Sequence, residues 1–98
     1  MNTKERVREW VLDRSKNLHI KSFKPVALTK QFDITMREAG RYCTQLMIEG
    51  IIDPLYCYHC DCGHIVTCTD VDDIPYECEL CEEETDLSKV YIEFTFKR

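Results

Sequence analysis

The sequence contains no run of about 18 apolar residues, which is the length that a membrane-spanning helix needs. Its first ten residues are charged and lack the apolar core of a signal peptide. We therefore expect a cytoplasmic protein that does not span a membrane and is not secreted by that route.

Features of catalytic sites are scarce as well. The chain has three glycines, and they form no Gly-rich phosphate loop. No nucleophile lies in a recognisable arrangement with a base, and none of the three histidines needs a chemical role. We expect no enzymatic activity.

Charge is distributed unevenly along the 98 residues, which are enough for one ordinary domain or two small ones. Residues 1–50 carry ten Lys/Arg and six acidic residues, whereas residues 51–98 carry three basic and twelve acidic residues. The net charge of −5 therefore hides a basic half and an acidic half. Two halves of opposite charge predict that each half binds a different kind of partner.

Cysteine is the residue type that the chain has in excess. Of its seven cysteines, six lie between Tyr56 and Glu84, and five of these six, all but the mid-strand Cys68, are candidate metal ligands. Two C-x2-C pairs, Cys57/Cys60 and Cys78/Cys81, are separated by seventeen residues, a spacing typical of four-thiolate zinc sites. Two tight turns can aim four sulfurs at one point, and four thiolates leave no open position for catalysis. The pattern predicts one structural Zn²⁺ ion.

Five clustered cysteines compete for four ligand positions. The spacing rule favours Cys57 with Cys60, whereas the glycine after Cys62 favours Cys60 with Cys62 in a tighter hook. We favour Cys60, Cys62, Cys78 and Cys81, with Cys57 as the alternate ligand. A histidine beside such a turn is more often a polar strand residue than a ligand.

The first half of the chain predicts three helices. Thr3 is placed to cap the first helix, Pro25 to open the second and Thr35 to cap the third. Residues 18–21 alternate between apolar and polar and predict a short strand. The buried stripe of the third helix is predicted to be Ala39, Cys43 and Leu46 (or Met47), with Gly50 ending the helix.

Residues 28–46, LTKQFDITMREAGRYCTQL, resemble the core of winged helix-turn-helix regulators. The opening Leu, the pair Ile34-Thr35 after the turn and the closing Glu49-Gly50-Ile51 carry the resemblance. The sequence departs from the family at Asp33, where glycine is usual, but Asp tolerates positive φ better than most residues. The resemblance implies a winged helix-turn-helix domain over residues 1–55.

The second half, residues 56–98, resembles a zinc ribbon. Residues 65–69 and 90–97 read as strands, and the second has an apolar face that must be covered. We predict an α+β protein in which a three-helix winged helix-turn-helix domain packs on an antiparallel β zinc ribbon. This order of domains resembles that of the transcription initiation factor E large subunit.

In helix-turn-helix proteins the third helix enters the major groove of double-stranded DNA, and its N-terminal residues reach base edges. The resemblance therefore implies a transcriptional regulator. Arginine side chains can form two hydrogen bonds with guanine, and a glutamate can accept a hydrogen bond from the amino group of cytosine. Lysine side chains can neutralise backbone phosphates. The predicted contacts are Lys24, Lys30, Thr35, Met36, Arg37, Glu38 and Arg41.

An alternative function follows from the acidic second half, which would repel DNA. It is suited to contacting a basic protein surface. In that case the chain is a protein–protein interaction adaptor or a small subunit of a larger complex.

Overall fold

Three helices and one four-stranded antiparallel sheet make up the fold, so the predicted α+β class is confirmed. The computed structural model describes residues 2–97. The helices are α1 (Thr3–Ser15), α2 (Pro25–Phe32) and α3 (Met36–Ile48), and the strands are β1 (Ser22–Phe23), β2 (Ile52–His59), β3 (Ile65–Cys68) and β4 (Tyr91–Phe96). Two 3-10 turns, Val71–Asp73 and Leu87–Lys89, lie between β3 and β4. Over this range no helix is long and apolar enough to cross a membrane.

Local side chains determine where α1 and α2 begin and end. The cap of α1 is Asn2, whose side chain accepts the Glu5 N–H at 2.9 Å, so the prediction of Thr3 was wrong by one residue. Pro25 opens α2 as predicted. Asp33 ends α2 with φ 52°, in the left-handed conformation that was expected of this turn residue.

A capping box begins α3, and Thr35 is the N-cap of this helix as predicted. The Thr35 Oγ1 accepts the Glu38 N–H at 3.1 Å, and the Glu38 carboxylate accepts the Thr35 N–H at 3.4 Å. The buried stripe is the predicted one, Ala39, Cys43 and Leu46. Gly50, with φ 77°, lies just beyond the end of the helix.

The short strand predicted at residues 18–21 was wrong. Asn17 holds this segment in a turn, because its side chain accepts the His19 N–H at 3.0 Å and its carbonyl accepts the Ile20 N–H at 3.0 Å. Leu18 is 73% exposed as a result. The strand lies one residue further on, at β1.

The sheet has the order β1-β4-β2-β3, so the last strand of the chain lies inside it. β4 pairs with β1 on one side and with residues 52–57 of β2 on the other. The far end of β2, residues 56–59, pairs with β3. β2 therefore runs across residues 55 and 56, where the two predicted domains meet, and β4 pairs with a strand of the first half.

Two separate hydrophobic clusters lie along β2, one near each end of the strand. The large one holds ten buried residues from the helices and the sheet: Val7, Val11, Phe23, Leu28, Ala39, Cys43, Leu46, Ile52, Phe94 and Phe96. The small one holds Tyr58, Cys60 and Cys78, with Cys81 and Val90 against it. The apolar face of β4 is thus covered within the chain, as its alternation requires.

Candidate metal centre

The first cysteine turn lies at the tip of the β2–β3 hairpin. The Cys60 N–H donates to the His64 carbonyl and the Gly63 N–H donates to the Cys60 carbonyl, both at 2.9 Å. Gly63 has φ 95°, which a side chain would make unfavourable. The turn brings Cys60 and Cys62 to one side of the hairpin tip.

The second cysteine turn lies in the segment between β3 and β4. The Cys78 N–H donates to the Glu83 carbonyl and the Glu82 N–H donates to the Cys78 carbonyl, again at 2.9 Å. Glu82 has φ 63° and takes the left-handed position directly after Cys81, as Gly63 does after Cys62. The two turns therefore have a similar construction, although the second has one more residue between its cysteines and a glutamate in place of the glycine.

The two turns face each other and bring four sulfurs together. All four Sγ atoms lie within 4.8 Å of one another. The distances between turns are 3.5 Å from Cys60 to Cys81 and 3.6 Å from Cys62 to Cys78. A tetrahedron with metal–sulfur bonds of about 2.3 Å has edges of about 3.8 Å, so these four cysteines can hold a metal ion.

Hydrogen bonds from the backbone polarise these sulfurs. The N–H groups of Cys81 and Leu80 donate to the Cys78 sulfur and lower its pKa to about 6. The Glu83 N–H acts in the same direction on Cys81, but desolvation and hydrogen bonds with the other three thiols raise the pKa of Cys81 to about 12. Without a metal, Cys78 is therefore a stronger acid than Cys81. A cation would displace the remaining protons.

The structure leaves Cys57 outside the group of four. Its side chain is buried, its sulfur contacts the Leu55 carbonyl at 3.7 Å, and burial raises the pKa of its thiol. Of the two alternatives left by the sequence, the structure brings together Cys60 and Cys62. His59 is also outside the group, since its Nε2 hydrogen-bonds the Tyr91 hydroxyl at 2.8 Å.

Few apolar groups support this centre. Tyr58 packs against Cys60 and Cys78, and its hydroxyl accepts the Asp86 N–H at 3.3 Å. Thr85 ties the second turn to the preceding loop by donating its hydroxyl to the Pro75 carbonyl at 2.6 Å. Sequence analysis missed Tyr58, although the alternation of β2 could have identified it as an inward-facing residue.

Residues 58–90, which we call the metal end, are strongly acidic. Residues 60–90 hold ten acidic side chains and one lysine. That lysine, Lys89, contacts Asp61 at 3.5 Å, and both side chains are largely exposed. In the described part of the chain the other nine carboxylates make no ion pair. Four thiolates on a divalent ion would add to this negative charge.

The remainder of the described chain, residues 2–57 and 91–97, is the helical end, and it carries the predicted DNA contacts. Arg37 and Arg41 are exposed on α3 and line a shallow depression with Gly40, Thr44 and Gln45. Neither arginine makes an ion pair or hydrogen bond within residues 2–97. Thr35 and Glu38, in contrast, are engaged with each other in the capping box.

Of the other predicted contacts, Lys24 and Met36 lie at the starts of α2 and α3, and Lys30 lies near the end of α2. Met36 is 56% exposed at the first position of α3. The Lys24 ammonium lies 5.0 Å from the centroid of the Tyr91 ring. Lys30 is exposed in the last turn of α2. The structure thus groups Lys24 with Met36 beside the sheet, away from the depression that Arg37 and Arg41 line.

Comparison of the chain with protein-family models, with curated proteins and with solved structures found no match. The case for a function therefore comes from the residues of this chain.

Proposed function

We propose that this chain is a zinc-stabilised winged-helix protein that binds double-stranded DNA as a transcriptional regulator, with α3 in the major groove. The order of elements supports this. Three helices, a short strand before α2, and a hairpin of β2 and β4 with β4 beside β1 are the parts of a winged helix. In this interpretation the metal end is inserted between the two strands of the wing.

Zinc is the metal that the donor set favours. Four sulfur ligands in a closed tetrahedral arrangement are typical of structural zinc, and they leave no position for a substrate. Cys60, Cys62, Cys78 and Cys81 would hold the ion. Its contribution is to folding, because binding to such a site stabilises only the folded chain.

The observation that carries the DNA proposal is the exposure of Arg37 and Arg41. They lie one helical turn apart and project from α3 opposite its buried stripe. Neither is neutralised by a carboxylate in the described chain. The surrounding segment, residues 18–48, has five basic and two acidic residues. Such arginines are suited to bidentate contacts with guanine.

Fluorescence anisotropy with a random-sequence duplex tests the proposal. Affinity should fall steeply between about 50 and 200 mM salt, because phosphate neutralisation releases counterions. Replacing both arginines, R37A/R41A, should weaken binding by at least about tenfold and make the salt dependence shallower.

The matched control removes the same charge elsewhere. Lys4, on α1, and Lys16, the C-cap of that helix, are exposed basic residues, so K4A/K16A should bind DNA nearly as well as the unmodified chain. Equal losses in the two double variants would indicate a net-charge effect. Unchanged affinity in R37A/R41A would exclude α3 from the interface.

The acidic metal end favours a second candidate function, binding of a basic protein. Its nine unpaired carboxylates repel DNA phosphates and attract Lys and Arg side chains. A chain with one basic and one acidic end can contact DNA and a protein at the same time. The chain would then be an adaptor, or a small subunit of a larger complex.

A further inference from the structure

An open groove of about 680 Å³ lies where the helical end meets the metal end. The inner face of the sheet, at Tyr56 and Ile92, forms its floor. The first turns of α2 and α3, at Val26 and Met36, form one wall. The two 3-10 turns form the other wall, at Val71 and Leu87.

The walls of this groove are apolar and exposed. Val26 is 40% exposed, Met36 56%, Val71 43% and Leu87 66%. Of the described residues that line the groove, Lys24 alone is charged. Four aliphatic side chains that converge on one open groove form a contiguous apolar patch, which is typical of an interaction site.

The apolar surface continues past the 3-10 turns. A second groove of about 470 Å³ shares Val71 and Leu87 with the first and also includes Ile74 and Tyr76. Tyr76 is 90% exposed. Val71 and Leu87 therefore form a ridge between two adjoining grooves.

The charge on this surface is negative at the ridge and positive at the opposite end of the first groove. At the ridge, the first of the two 3-10 turns carries Asp72 and Asp73, and Glu84 lines the second groove. None of these three carboxylates makes an ion pair in the part of the chain that the structure describes. At the opposite end of the first groove, the charge is the single positive one of Lys24. The grooves thus present an apolar surface with an acidic rim.

We propose that this surface, which we call the ridge surface, binds a peptide segment of a partner protein that carries apolar side chains together with Lys or Arg. The apolar side chains occupy the grooves on either side of Val71 and Leu87. The basic side chains pair with Asp72, Asp73 and Glu84. This proposal rests on the protein-binding candidate function, and it does not depend on whether α3 binds DNA.

Selection from a random peptide library displayed on phage, with the zinc-loaded chain as bait, tests the proposal. We expect the enriched peptides to combine Leu, Phe or Trp with Lys or Arg, and to be poor in Asp and Glu. Individual peptides should shift the methyl NMR signal of Met36 and leave that of Met47, which packs against the large cluster, in place.

Two pairs of variants locate the binding. V71S/L87S should weaken the selected peptides by at least about tenfold, since it removes the ridge. The control, L18S/I48S, removes two side chains that are 73% and 81% exposed on the helical end, and it should change little. Likewise, D72N/D73N should weaken binding and make it less sensitive to salt, whereas the α1 variant E9Q/D13N should not.

Three outcomes would overturn the proposal. Peptides rich in acidic residues, or peptides that bind V71S/L87S as well as the unmodified chain, would contradict it directly. Self-association that V71S/L87S abolishes would assign the surface to a second copy of the chain. Loss of DNA affinity in V71S/L87S would assign the surface to DNA.

Discussion

The helical end and the metal end differ in what holds them together. In the helical end, ten buried side chains form one cluster, and the partly buried Trp10 packs against it, with its ring edge to face with that of Phe23 at 5.7 Å. In the metal end the corresponding cluster has three residues, two of which are cysteines. A segment of this size rarely buries enough apolar surface to fold alone. In our proposal, sulfur–metal bonds take the place of a core.

β2 connects these two modes of stabilisation. Ile52, its first residue, belongs to the large cluster, and Tyr58, near its end, belongs to the small one. One strand is thus anchored by apolar packing at one end and by the metal centre at the other. The comparison implies that either end can be perturbed while the other stays folded.

Removing a metal ligand should have the largest effect. C62A leaves three sulfurs, and we expect it to lower zinc affinity by more than about a hundredfold and to disorder the metal end. C57A is the matched control, because Cys57 lies outside the group of four. Elemental analysis should find about one zinc per chain in C57A and much less in C62A. The opposite result would identify Cys57 as the ligand.

Acid should also destabilise the metal end and leave the helical end folded. Protons compete with the metal for sulfur. In the metal-free chain the pKa of Cys78 is lowered from 9.0 to about 6, so the stabilisation that its thiolate gives to the folded state is complete above pH 9 and is lost as the pH falls through 6. The pH dependence of stability that comes from Cys43 has the opposite sign. Burial raises the pKa of this thiol from 9.0 to about 12, so the stabilisation associated with it is complete below pH 9 and is lost as the pH rises through 12.

We therefore expect acidification from pH 8 to pH 5 to release zinc while the helical end stays folded. A chromophoric chelator measures the release. The fluorescence of Trp10, the one tryptophan of the chain, reports on the helical end. Loss of the tryptophan signal at the pH where zinc is released would show that the two ends unfold together.

A cavity in the large cluster should have the next largest effect. Leu28 is fully buried, so L28A should lower the free energy of unfolding by about 2–5 kcal/mol. Leu80, between the ligands of the second turn, is 71% exposed, and L80A should change stability by no more than about 0.5 kcal/mol. Denaturant unfolding followed at Trp10 measures L28A, and release of zinc to a chromophoric chelator in the same titration measures L80A. Similar losses in the two variants would mean that the metal end also has an apolar core.

The smallest effect is expected at the start of α3. T35A removes the acceptor for the Glu38 N–H and should cost about 1 kcal/mol, whereas T35S keeps a hydroxyl there and should cost less. Zinc content should be unchanged in both. Thermal unfolding by circular dichroism gives the comparison, and equal losses in T35A and T35S would argue against a capping role.

Much of the fold could be predicted where residues act on their neighbours in sequence. Pro25, Asp33 and Thr35 mark the ends of α2 and α3 through local backbone chemistry, and the stripe of α3 follows from helical periodicity. The choice of four ligands among the five candidate cysteines could be narrowed in the same way, since Gly63 favours a turn directly after Cys62.

The pairing of strands that are distant in sequence was harder to predict. Alternation predicted β4 but could not show that it lies between β1 and β2, because strand partners are chosen by packing of the whole chain. The same alternation misled the prediction at residues 18–21, where hydrogen bonds to Asn17 hold a turn. The ridge surface was not predicted, since it joins Met36 to Val71 and Leu87 only after the sheet has formed.

The central claim is that a metal ion held by four cysteines organises the metal end. Amide hydrogen exchange of the zinc-loaded chain, before and after a strong chelator under reducing conditions, tests it most directly. We predict that the N–H groups of Cys60, Cys78 and Glu82, which are hydrogen-bonded in the two turns, lose their protection, while those of α1, α2 and α3 keep most of theirs. Protection of the two turns that survives complete removal of the metal would contradict the account.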